Sequence, residues 1–152
     1  MGLMDGDPGP APSKVPRNIF IGVIVLMAVT IPLYLLLRFH TEKATANLFL
    51  NELVAGDYQG AYRTWKPGSG YSYDDFMRDW GPTGEYGPVK SYDLRSARSP
   101  AGASGVVITV DVSTASPFPG NRGASNVKEV RLWVEHSDQS ISYAPEEIHI
   151  VR

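Results

Sequence analysis

Proton transfer in a small domain needs an imidazole or a carboxylate set into a water-poor cavity. In the half of the chain that alternates like strands, the histidines are His136 and His149. His149 is out of phase with Ile148 and Ile150, so it is expected on the solvent side. His136 is in phase with Val134 but falls at a strand end, which reads as a polar terminus. Asp111 lies on the face opposite Val106, Ile108, Val110 and Val112, where a solvated carboxylate is expected rather than a general base. Neither histidine has a carboxylate at a metal-ligating spacing. There is no nucleophile elbow, phosphate loop or dinucleotide fingerprint. The chain has no cysteine, which removes disulfides, thiolate metal sites and redox motifs. No catalytic residue, metal site or cofactor is expected.

Aromatic side chains are the denser signal. Tyr58, Tyr62, Trp65, Tyr71, Tyr73, Phe76, Trp80 and Tyr86 crowd one short span. They read as core beneath the helices, or as the lining of a binding pocket, for which Tyr58, Tyr62, Trp65, Phe76 and Trp80 are the candidates. Trp133 is separate. It is expected on the outer sheet face between Arg131 and Glu135, and these three are the candidate partner-binding residues. Asp74, Asp75 and Asp79 beside Arg78 read as a solvated acidic helix surface.

These residues must be positioned by helices first and strands after. Ala46, Phe49, Leu50, Leu53 and Val54 recur at spacings of three and four, one face of a helix that Gly56 ends. Asp57 is the expected N-cap of a second helix carrying Tyr58, Ala61, Tyr62 and Trp65. Ser72 with Asp75 resembles a capping box opening a third, with Phe76, Met77 and Trp80 on its apolar face. Strands are expected from Val89 to Arg98, Gly105 to Ser113, Val127 to His136, and Ile141 to Val151 with an interruption at Pro145. Helices before an antiparallel sheet give an α+β domain: about three helices packed on a curved sheet of about four strands.

Ahead of that domain runs Ile19 to Leu37, IFIGVIVLMAVTIPLYLLL, with no charged residue. As a helix it spans about 28 Å, close to the hydrocarbon thickness of a bilayer. The expected organisation is a disordered tail over 1–18, rich in Pro and Gly, a transmembrane helix over 19–38, and an exported domain over 41–152. Tyr34 and Phe39 are the expected interfacial aromatics. Lys14 and Arg17 before the anchor match Arg38 and Lys43 after it, so the flanking charges do not set the orientation. The short basic tail favours a cytoplasmic N-terminus. Ala44-Thr45-Ala46 would suit a signal-peptidase cut, but the apolar run is longer than a signal core. From residue 39 onward 11 basic residues face 14 acidic ones, a net charge of −3, which argues against nucleic acid as a partner.

The segments ATANLFLNELVAGDYQGAY, SYDDFMRDWG, GPVKSYDL and VRLWVEHSDQSISYAPEEI follow one another in an order that resembles the nuclear-transport-factor-2-like, cystatin-like cone superfamily. The likeness is to small bacterial membrane-anchored members of unknown function. It implies a cone-shaped domain and a bacterial inner membrane, with the domain on the periplasmic or extracellular side. Catalytic members place Asp, His or Tyr inside the cone; other members carry ligands, dimerise or serve export machinery, so fold alone carries little function. The expected function is a membrane-anchored, non-catalytic binding or scaffolding protein, an accessory subunit whose partners are other membrane proteins or a second copy. The alternative is a small-molecule-binding or catalytic cone using the aromatic interior.

Overall fold

The computed structural model describes residues 15–68 and 70–145, together with Gly9. The expectations for the remaining tail, for His149 and for a strand beyond Pro145 fall outside the described residues. The chain divides into two units, Met1–Arg38 and Phe39–Arg152.

The first unit is one helix, α1 (Val15–Leu37). It starts ahead of the expected Ile19, because Pro16 falls in the first turn, where its missing N–H leaves no bond unmade. Residues 16–37 are exposed on every side. α1 is long and apolar enough to cross a membrane, and among the described residues it is the one helix that is. Pro32 sits within it, and the Thr30 hydroxyl returns to the Leu26 carbonyl at 2.8 Å.

Only Arg38 and Phe39 separate α1 from α2 (His40–Ala55). Phe39 adopts a left-handed backbone, φ 61°, which costs a non-glycine residue about 1–2 kcal/mol. Its ring packs against the core of the second unit, which offsets that cost. Phe39, expected as an interfacial aromatic, is partly buried against that core.

In the second unit α2 buries Glu42, Ala46, Phe49, Leu50 and Leu53. Gly56 closes it in a left-handed conformation, φ 78°. The Asp57 carboxylate then accepts the Gly60 N–H at 2.9 Å and opens α3 (Tyr58–Trp65). A complete Ser72/Asp75 capping box opens α4 (Tyr73–Trp80). The tight passage to the sheet needs Gly87, where a Cβ would fall 1.9 Å from the Gly81 carbonyl oxygen.

Four strands follow: β1 (Ser91–Arg98), β2 (Gly105–Ser113), β3 (Val127–Glu135) and β4 (Ile141–Tyr143). They form an open antiparallel sheet in the order β1-β2-β3-β4. Register runs unbroken from Gly105 opposite Glu135 to Ser113 opposite Val127. Between β1 and β2 it slips at Arg95, a bulge in the edge strand. Val106, Ile108, Val110, Val112, Val130, Leu132 and Val134 face inward, and α2 crosses that face in contact with β1, β2 and β3. The architecture is α+β, with helices covering one face of an antiparallel sheet. Each of these apolar side chains removed from water contributes about 1.5–3 kcal/mol.

Candidate functional site

The helices bring the aromatic residues into one continuous nest. Phe49, Phe76 and Trp80 have no exposed surface and Trp65 almost none. Phe49 meets Trp65 and Trp80 at ring-centroid distances of 5.2 Å each, and Phe76 at 6.2 Å. Tyr62 approaches Phe76 edge-on at 5.5 Å, and its hydroxyl donates to the Tyr71 carbonyl at 2.8 Å. Tyr58 is half-buried against the same cluster. These distances are those of rings that pack on one another with favourable edge and offset geometry. Of the five pocket-lining candidates, Trp65, Phe76 and Trp80 are brought together as core, with Tyr58 and Tyr62 at its margin. The Trp80 indole Nε1 is buried with no hydrogen-bond partner among the described residues.

At the edge of the nest lies Asp79, which reads from the sequence as part of a solvated helix surface. Asp79 Oδ2 accepts the Tyr71 hydroxyl at 2.7 Å and the Tyr143 hydroxyl at 2.9 Å. Tyr143 stacks nearly parallel to Trp80 and meets Trp65 edge-on. Burial, and then the Asp79 carboxylate, push the Tyr71 hydroxyl well above the usual tyrosine range. Burial, then the contacts with Tyr71 and Asp79, do the same to Tyr143. The expectation of a solvated acidic surface therefore holds for exposed Asp74 but not for Asp79, which is half-buried and clamped. Asp75 closes its cap and pairs with Arg78 at 3.1 Å.

The outer face of the sheet carries the second arrangement. Arg131, Trp133 and Glu135 do share it, alternating with buried Val130, Leu132 and Val134. Trp133 is half-buried, because its ring lies over Gly105 and stands opposite Val107. Its Nε1 donates to Glu135 Oε2 at 3.1 Å, and the Ser104 hydroxyl donates to the same oxygen at 3.0 Å. Arg131 is exposed, with Nε 3.3 Å from Glu129 Oε1.

Asp111 sits at the centre of this face and corrects the expectation of a solvated carboxylate. Its side chain is 3 % exposed, beneath Arg95 and Arg122, whose Nε atoms each lie 3.6 Å from Oδ2. That oxygen has no hydrogen bond among the described residues. Arg95 reaches on to Glu129 at 2.7 Å, and Arg122 to Asp93 at 2.5 Å. Arg122 belongs to the connection between β2 and β3, which folds back over the sheet. The result is a chain of alternating charge, Asp93, Arg122, Asp111, Arg95, Glu129, Arg131, laid across three strands and a loop.

Three surface grooves have volumes of about 370, 300 and 330 Å³, and the third is lined in part by Asp93 and Arg95 of the charged chain. The largest runs between α2 and α3 past Leu48, Glu52 and Lys66. Among the described residues no group of three or more His, Asp or Glu side chains could hold a metal ion. His136, read from sequence as a plain strand end, instead bonds Glu42 at 2.7 Å. No family model matches the chain, and no curated protein or solved structure matches it.

Proposed function

We propose that this chain is a single-pass, membrane-anchored docking protein without catalytic activity of its own, an accessory subunit of a larger membrane assembly. The observation that carries this reading is the fixed order of the outer sheet face. Six charged groups there hold one another in place, and Trp133 is pinned beside them by Gly105 and Glu135. A face whose side chains are already ordered binds with less loss of conformational freedom, and its charges give specificity more than raw affinity. α1 supplies the anchor, as its length and apolar composition suit a bilayer. The resemblance to the cone superfamily supports a bacterial inner membrane, a cytoplasmic N-terminus and a domain on the far side.

The test is gentle extraction of the full-length protein from its native membrane, with mass spectrometry of whatever co-purifies in fixed ratio. Membrane proteins at constant stoichiometry, lost on Trp133→Ala and retained on Leu48→Ala, support the reading. A lone monomer, or a complex indifferent to Trp133→Ala, overturns it.

A second reading has its own observation in its favour. A carboxylate held by two tyrosine hydroxyls at the margin of an aromatic nest suits a small apolar ligand with one polar end. Native mass spectrometry of the purified protein tests it: a bound small molecule lost on Asp79→Asn supports that reading, and a mass equal to the bare chain removes it.

A further inference from the structure

We propose that the groove of about 300 Å³ between the α4–β1 connection and the place where β2 ends and β3 begins binds a neutral saccharide, with the Tyr86 ring as its stacking platform. The groove lies at the end of the sheet where Val112, the last of the inward row, stands opposite Lys128. Lys128 belongs to the face of β3 that carries Val130, opposite Trp133. Binding here is therefore separate from docking on the outer face.

Both walls are ordered without a ligand. One wall is the connection after α4. There the Glu85 N–H donates to the Arg78 carbonyl at 3.1 Å and the Tyr86 N–H to the Asp79 carbonyl at 2.8 Å. The Tyr86 ring packs on Trp80 at a centroid distance of 4.9 Å and on Tyr143 at 6.1 Å. It is only half-buried, and it lines the groove. The other wall is formed by the two ends of the β2–β3 connection, tied together by the Thr114 N–H, which donates to the Asn126 carbonyl at 3.2 Å. The Lys128 ammonium donates to the Glu85 carbonyl and joins the two walls. A site ordered in advance gives up less conformational freedom on binding.

The lining chooses the class of ligand. Thr114 and Ser125 present hydroxyls and Asn126 an amide, and none of these side chains has a hydrogen-bond partner among the described residues. Each can both donate and accept. The charged side chains of the lining are Glu85 and Lys128, one of each sign, so the groove selects neither an anion nor a cation. Tyr86 is its aromatic member, and a tyrosine ring offers an apolar face. A pyranose matches this set: C–H groups on one face of its ring, hydroxyls around the rim and no charge. Its C–H face lies on Tyr86, and its hydroxyls replace water at Thr114, Ser125 and Asn126. A wholly apolar ligand would strand those polar groups without partners, a cost that stacking does not offset. The volume is at the low end for small-molecule sites, which leaves room for one or two sugar rings.

The experiment is saturation-transfer NMR on the full chain in lipid nanodiscs. The probes are maltotriose, cellotriose and tri-N-acetylchitotriose, with sorbitol as an open-chain polyol and empty nanodiscs as controls. Saturation of the ring C–H protons is expected with at least one of the saccharides and not with sorbitol. Tyr86→Phe keeps the platform and should bind within about twofold of the unaltered chain, whereas Tyr86→Leu should weaken binding about tenfold. Asn126→Ala, in the β2–β3 connection, should weaken it roughly threefold to tenfold through lost hydrogen bonds. The urea midpoint of each variant reports that it folds. Absence of transfer to all of the saccharides overturns the assignment. Transfer of equal strength to sorbitol does so too, as does saccharide binding undiminished in both Tyr86→Leu and Asn126→Ala.

Discussion

Arg122, from the connection between β2 and β3, lies with its Nε 3.6 Å from Oδ2 of Asp111, a carboxylate 3 % exposed in the middle of the sheet's outer face. Arg95 approaches the same oxygen at the same distance. A charge withdrawn from water in this way depends on its partners.

Removing those partners is therefore expected to cost more than an ordinary surface substitution. Arg122→Ala and Arg95→Ala should each lower stability by about 1–2 kcal/mol in urea denaturation, because both arginines are partly exposed and the effect is softened by solvent. Asp111→Asn in either background should recover part of the loss. Equal and additive losses in all the double variants would remove the coupling.

Gly105 is the second point of tension. A Cβ there would lie 2.5 Å from the Val134 carbonyl oxygen and 2.7 Å from the Trp133 ring. Gly105→Ala is expected to destabilise by about 2–3 kcal/mol and to alter Trp133 fluorescence. Trp133→Ala should relieve the ring clash but not the clash with the backbone, so the double variant recovers only in part.

At Asp79 the prediction concerns alkaline pH. Tyr71 and Tyr143 ionise above the usual range in the folded domain, whereas in the unfolded chain they ionise near pH 10. A group raised on folding stabilises fully below its unfolded value and loses that contribution as pH rises through the folded one. Asp79→Asn removes the negative charge that helps to raise them. Phenolate absorbance should then appear at lower pH, and stability at neutral pH should fall by about 1–2 kcal/mol.

Phe49 touches Trp65, Phe76 and Trp80 together. Phe49→Ala is expected to cost about 3–5 kcal/mol, read as a lower urea midpoint at unchanged slope. Leu48→Ala, one position away on the exposed side of α2, should stay within about 0.5 kcal/mol.

Periodicity made the helices and strands legible. The Phe49, Leu50, Leu53 stripe and the Ser72/Asp75 box depend on neighbours a few residues away and took the form expected, although Val54 of that stripe is exposed; the Val106 to Val112 run formed its strand, but with both faces buried. The polar arrangements did not show, because their partners lie far along the chain. Asp79 meets Tyr143 across 64 residues and Glu42 meets His136 across 94. Glu42 lies four residues before Ala46 on the buried stripe of its helix, but nothing near it in the sequence names its partner. Asp111 sits where alternation assigns solvent, and Arg95 of β1 together with Arg122 of the folded-back loop covers it. The Arg95 bulge was equally hidden, since a slip in register leaves no mark on the composition of β1.

The join between α1 and α2 has a consequence for encounter. Two residues span at most about 7 Å of chain, and one of them, Phe39, is fixed by its contacts with the core. If α1 crosses a bilayer as proposed, a domain joined to it by two residues would meet a partner by lateral diffusion within a thin layer, so a surface too weak to hold that partner from bulk solution would still be populated at the boundary.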